Sequence, residues 1–264
     1  MPKGPLIRRH GVLTRIAHWT WAVALFFLLL TGLQIFNAHP VLYLGEQSGF
    51  GFENAILRIG AVDGEGGPVG VTEVFGLRVE TTGFLGLQGD RVQAFPAALT
   101  IPSTQDLATG RVIHFFFAWV LVAALLLWGL AAVAGRRLGA LVPTRADLRA
   151  LPGDIADHAR LRFHHRAGYG VLQKLAYAGV LFVALPLMVL TGLTMSPSFN
   201  AIFPWTLDLF GGRQTARTIH FAVMLALVAF FVVHMAMILL AGPLNEMRAI
   251  VTGWYRTDPD RGEP

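Results

Sequence analysis

Four stretches of this chain, residues 16–36, 112–134, 175–196 and 218–245, contain no Asp, Glu, Lys or Arg. A helix crossing ~30 Å of hydrocarbon needs ~20 apolar residues, and each stretch meets that requirement. Hydrocarbon offers the backbone no hydrogen-bond partners, so spanning segments must satisfy their own, as helices do. Composition agrees: 54% of the residues are hydrophobic and only 14% charged, which is outside the range of a soluble core. The expected fold is an all-α, integral membrane four-helix bundle with a long outer loop. Its segments are the N-terminus and first span (1–36), an outer loop (37–110), the second span (111–134) and a basic loop (135–172). There follow the third span (173–196), a second outer loop (197–216), the fourth span (217–241) and a tail (242–264).

Charge sets the expected orientation. Arg8, Arg9 and Arg15 precede the first span, and residues 135–172 carry seven arginines. The outer loop instead holds eight acids against Arg58, Arg78 and Arg91. By the positive-inside rule both termini and the basic loop face the cytoplasm of a bacterial inner membrane. The net charge of +5 is thus a topology signal and an attraction to anionic membrane lipid, with no implied nucleic-acid role. The first apolar run is too long for a signal peptide, and Phe36 stands where cleavage requires a small residue, so this span is expected to be retained. The chain has no cysteine, which excludes thiol-attached haem, cysteine-ligated iron–sulfur clusters and disulfides.

Four histidines lie inside these spans: His18, His114, His220 and His234. An ionisable residue in hydrocarbon costs at least a few kcal/mol and is a functional candidate by default. His220 and His234 are fourteen residues apart, close to four turns, so they share one helix face. Roughly 21 Å of helix axis separates them. Depth pairs His18 with His234 near the inner surface and His114 with His220 near the outer one. Two neutral imidazoles from facing helices make a six-coordinate haem iron, which passes electrons and binds no substrate. No substrate chemistry beyond quinone redox, and no catalytic residue, is therefore expected. The alternative is a haem-free transporter or proton-conducting protein using the same histidines, against which stands the lack of any Asp or Glu in the spans. Arg15, Arg111 and Arg217 each precede a histidine by three residues, within reach of haem propionates.

The chain also repeats itself. Leu30-Thr31-Gly32-Leu33 recurs as Leu190-Thr191-Gly192-Leu193, and Arg111-Val112-Ile113-His114 is echoed by Arg217-Thr218-Ile219-His220. Two duplicated helical hairpins would explain both echoes. Gly32 and Gly192 could admit a flat macrocycle or a neighbouring helix. In the outer loop, residues 43–60 are expected to form an amphipathic surface helix and residues 77–80 a short strand, together making a platform for a partner. In the basic loop, residues 156–165 are expected to be helical, and His10, His39, His158, His164 and His165 to be solvated.

The pattern resembles the bacterial cytochrome b561 and nickel-hydrogenase cytochrome b family, which includes the formate dehydrogenase gamma and thiosulfate reductase cytochrome b subunits. The residues carrying the resemblance are Arg15-Ile16-Ala17-His18-Trp19, His114, the His220–His234 spacing, Tyr169 and Gln173-Lys174. It implies a subunit with two non-covalent b-type haems, the inner held by His18 and His234, the outer by His114 and His220. It further implies electron transfer between a periplasmic redox enzyme and membrane quinone, with Tyr169 and Lys174 as candidate quinone contacts. Formate dehydrogenase relatives carry an asparagine where this chain has Gly170, so their quinone contact there does not carry over. The 74-residue outer loop exceeds what those relatives need and implies a different docking partner, such as a periplasmic molybdenum oxidoreductase.

Overall fold

A computed structural model describes residues 4–49 and 52–259. Four helices are long and apolar enough to cross a membrane: Val12–Asn37, Leu107–Ala134, Val171–Thr194 and Arg213–Ala241. These are α1, α2, the continuous run α4–α5, and α8. The third contains a π-helical turn, Val180–Ala184, between α4 (Val171–Gly179) and α5 (Leu185–Thr194). Large apolar side chains such as Leu130, Phe231 and Leu239 are exposed on these helices, as a lipid solvent requires. The protein is therefore an all-α membrane protein of four spanning helices. The shorter helices are α3 (Arg145–Ala159), α6 (Pro197–Ile202), α7 (Trp205–Phe210) and α9 (Pro243–Thr252).

The chain divides into two compact units, and every long helix contributes to both. The first comprises Met1–Ala22, Val122–Pro186 and Leu225–Pro264. Here β1 (Leu6–Arg8) pairs antiparallel with β8 (Trp254–Arg256), tying the segment before α1 to the segment after α9. Arg9 lies over the rings of Tyr255 and Tyr169, at 4.1 and 5.1 Å. Thr144 and Asp147 form a capping box at the start of α3, and Asp147 receives Lys174 at 3.0 Å. The helix expected at 156–165 thus lies earlier: α3 ends at Ala159, and Leu161 adopts a positive φ of 55° that ends any continuation.

The second unit comprises Val23–Leu121 and Leu187–Met224. Its segment 37–110 is a β-structure: a four-stranded antiparallel sheet in the order β2-β3-β4-β5 (Val41–Tyr43, Ala55–Gly64, Gly67–Val74, Leu77–Glu80), followed by the hairpin β6-β7 (Gly86–Gln88, Arg91–Gln93). The strand expected at 77–80 is present; the helix expected at 43–60 is not. Gly45 and Gly49 have φ of 95° and 69°, which no helix accommodates, and from Ala55 the chain extends into β3. Phe50 and Gly51, within that expected helix, lie outside the described residues. The glycine run at 64–67 is the β3–β4 turn, where Gly64 pairs with Gly67.

This sheet is seated on the helix ends by a small core of Phe36, Leu42, Ile59 and Ala94, with Phe95 and Phe221 packed against it. Buried amides complete the attachment. Asn37 both donates to the Phe95 carbonyl (3.0 Å) and accepts from the Phe95 N–H (2.7 Å), while Gln34 donates to the Thr104 carbonyl (2.6 Å). Such pairing is what permits polar groups to be buried at all.

Candidate functional site

The two duplicated sequence words meet in space. Thr31 of α1 lies beside His114 of α2, with the Thr hydroxyl 3.0 Å from Nδ1; Thr191 of α5 lies beside His220 of α8 at the same 3.0 Å. Both threonines are 0% exposed. A Cβ added at Gly32 would meet His114 Cε1 at 3.4 Å, and one added at Gly192 would meet His220 Cε1 at 3.4 Å. Two hairpins with the same contact at the same distance are what a duplication produces. Thr31, His114, Thr191 and His220 all belong to the second unit.

The hydroxyl protons assign the ring tautomers. Thr31 has one O–H, and it donates to the Phe27 carbonyl at 2.6 Å; Thr191 donates to the Leu187 carbonyl at 2.7 Å. Neither has a second proton to give, so each accepts from its histidine, and Nδ1 carries the ring hydrogen. Nε2 is then left with its lone pair, the form in which imidazole ligates a metal.

His18 and His234 both belong to the first unit. His18 packs edge-on against Trp19, and His234 stacks on Phe230 with ring centroids 5.5 Å apart. The buried Nδ1 of His18 has no hydrogen-bond partner among the described residues, nor has the Trp21 indole nitrogen, whose ring meets Trp128 edge-on. His18 and His234 thus lie in the first unit, and His114 and His220 in the second.

The arginines differ in availability. Arg217 donates to the carbonyls of His39 and Val41, pinning the start of the β-structure. Arg15 donates to the Val251 carbonyl, although its buried Nε is unpartnered. Arg111 is exposed, with only the Phe115 ring beneath it at 5.6 Å. Tyr169 and Lys174, with Arg8, Arg9, Ala140 and Gly168, line a cavity of about 320 Å³ in the first unit. Burial raises the Tyr169 phenol above its ordinary value, which keeps it a proton donor.

Three histidines expected to be solvated are packed: His10, His165, and His158, whose Nδ1–H donates to the Asp154 carbonyl at 2.7 Å and whose ring meets Phe163 edge-on. His165 Nε2–H donates to the Ala241 carbonyl (2.8 Å), which fixes Nε2 as the protonated nitrogen, and its ring stacks on Tyr255. His10 lies against Tyr169, and burial, aided by Arg9, lowers its pKa to about 4. His39 and His164 are exposed as expected.

Thr31 and Thr191 were legible only as part of a repeat; the recurrence of Leu-Thr-Gly-Leu in both hairpins was the signal that the hydroxyl, as well as the glycine, has a task. The residues present suit a bis-imidazole iron porphyrin. They supply Nε2 lone pairs and cysteine-free surroundings, with glycine beside the ring edge where neither positive φ nor a protein neighbour closer than 3.4 Å requires it. Among the described residues no group of three or more His, Cys, Asp or Glu could hold a bare metal ion.

Comparison with known proteins agrees. The profile described as prokaryotic cytochrome b561 matches residues 9–253. YedZ1 of Azospira oryzae, provisionally named a protein-methionine-sulfoxide reductase subunit, is 28% identical over 233 residues, covering 88% of this chain and 90% of its own. With the match spanning all four helices and both histidine pairs, this chain belongs to the prokaryotic cytochrome b561 family.

Proposed function

We propose that the chain holds two b-type haems, one between His18 and His234 and one between His114 and His220. On this reading it carries electrons across the membrane between quinone and a redox enzyme on the outer side. As a family member it is a multi-pass bacterial inner-membrane cytochrome b, an electron-transfer subunit linking the quinone pool to a periplasmic redox enzyme. The observation that carries the two-haem reading is the segregation of the histidines into two pairs, one per unit.

Bound haem supplies a reversible one-electron couple with no open coordination position. The chain's residues supply the rest. His114 and His220 present Nε2 because their Nδ1 hydrogens are committed to Thr31 and Thr191. Arg111 and the unpartnered Nε of Arg15 are the cations we assign to propionates, whereas Arg217 is engaged by backbone carbonyls. We assign the quinone head group to the cavity lined by Tyr169, where the neutral phenol can donate to a quinone oxygen. Lys174 borders that cavity but is held by Asp147, so it acts there only as a paired cation. The excess of arginine in 135–172 supports cytoplasmic placement of both termini and that loop. The name of the Azospira relative supports a methionine-sulfoxide reductase as partner, and we propose a molybdenum oxidoreductase docking on the β-structure of 37–110.

The test is a reduced-minus-oxidised spectrum of the purified protein with a haem-to-protein ratio. Two haems per chain are expected, falling to one in His18→Ala or His234→Ala with the remaining centre unchanged in potential. Loss of both haems, or of neither, in those variants would refute the pairing.

A further inference from the structure

Thr31 and Thr191 are fully buried, and each spends its only proton on the carbonyl four residues earlier in its own helix. A hydroxyl so committed stabilises the helix little, because back-bonding of this kind is neutral to slightly unfavourable. What it does is turn the oxygen into a fixed acceptor aimed at Nδ1 of a histidine on the next helix, 3.0 Å away in both hairpins. We propose that Thr31 and Thr191 are positioning residues that set the electron-donating strength of His114 and His220, and thereby hold down the reduction potential of that centre alone.

The inference rests on the haem reading above and deepens it. A ligand imidazole whose other N–H donates to an acceptor becomes more basic, and a more basic ligand favours the oxidised metal. The Thr31 and Thr191 hydroxyls are the hydrogen-bond partners of these two rings among the described residues. In the other unit the device is missing: His18 Nδ1 has no hydrogen-bond partner among the described residues, although it is buried. The two centres, alike in having two histidines each, thus differ in what stands behind the ligands. The duplication retained Thr–Gly in both hairpins, at positions 31–32 and 191–192, so the centre in the second unit receives the device twice. Each threonine also precedes a glycine facing the same ring edge, which lets one short word both orient the imidazole and keep its flank clear.

The experiment is a spectroscopic redox titration of the purified, haem-loaded protein: wild type, Thr31→Val, Thr191→Val, and the matching Ser variants. Valine keeps the branched shape and deletes the acceptor; serine keeps the acceptor and deletes a methyl. At a fixed ambient potential, each valine variant should lower the oxidised-to-reduced ratio of one centre by about threefold and leave the other unmoved. Each serine variant should stay at the wild-type ratio. Unchanged ratios in fully loaded valine variants overturn the inference, and so does a shift as large in serine as in valine, since that would follow from packing alone. If the valine variants lose haem, the serine pair decides: wild-type behaviour there, with haem retained, upholds the hydroxyl's role. A wild type without two b-type centres would instead sink the haem reading, a failure visible before any threonine is changed.

Discussion

Alanine at Gly32 or Gly192 separates what the polypeptide needs from what its cofactor needs. Both glycines lie within long helices, where alanine is favoured by up to about 1 kcal/mol, roughly fivefold in a folding equilibrium. The added Cβ would meet only the ring of His114 or His220, at 3.4 Å, an ordinary contact that asks nothing of the protein. Gly129 and Gly179 are matched controls, since a Cβ at either meets nothing within 4 Å. All four substitutions therefore gain the same helix propensity, and only the first two place a methyl beside a histidine that we propose as a haem ligand. Overpacking a tight site typically costs about 1–3 kcal/mol, which weakens binding about five- to 150-fold. We expect haem per polypeptide to fall by one centre in Gly32→Ala and Gly192→Ala, and to stay at wild type in Gly129→Ala and Gly179→Ala, with thermal stability unchanged or raised in the controls. The assay is haem content of purified protein alongside its thermal melt. If all four variants retain full haem, the clearance argument is wrong and the glycines serve helix packing.

Two further outcomes follow from groups outside the membrane. His10, its pKa lowered to about 4 mainly by burial, stays neutral in the folded protein while an unfolded histidine titrates near 6.5, so folded stability should decline as pH falls from about 6.5 to about 4. His10→Asn should flatten that part of a melt-versus-pH curve, and an unaltered slope would show that His10 does not titrate with folding. Phe75, with φ of 49° at the β4–β5 turn and 75% exposed, occupies a left-handed conformation that disfavours a bulky residue by about 1–2 kcal/mol. Phe75→Gly should therefore raise the melting temperature of the isolated protein, whereas a fall would show that the ring packs against something that stabilises the fold.

The spans were legible because hydrocarbon imposes a simple rule, a long charge-free run, and four helices meet it. The shared face of His220 and His234 was legible as helical spacing, and both do lie on α8. The extramembrane parts were not. Residues 43–60 carry charges at spacings that also suit a surface helix, and only the positive φ of Gly45 and Gly49 and the partner strands β2 and β4 decide for extended chain. His165 and His10 read as solvated because nothing nearby in sequence covers them; Tyr255, Ala241 and Tyr169 do so from distant segments.

Sequence by itself determined the membrane class, the four helices and which histidines lie on them, because each depends on local composition and helical period. Tertiary structure alone decided that Thr31 and Thr191 face His114 and His220, that Arg217 is spent on the carbonyls of His39 and Val41, and that segment 37–110 is a sheet. The reason is physical: a hydrogen bond between helices depends on how two faces are rotated against each other, and strand pairing on partners distant in the chain, neither of which a local pattern encodes.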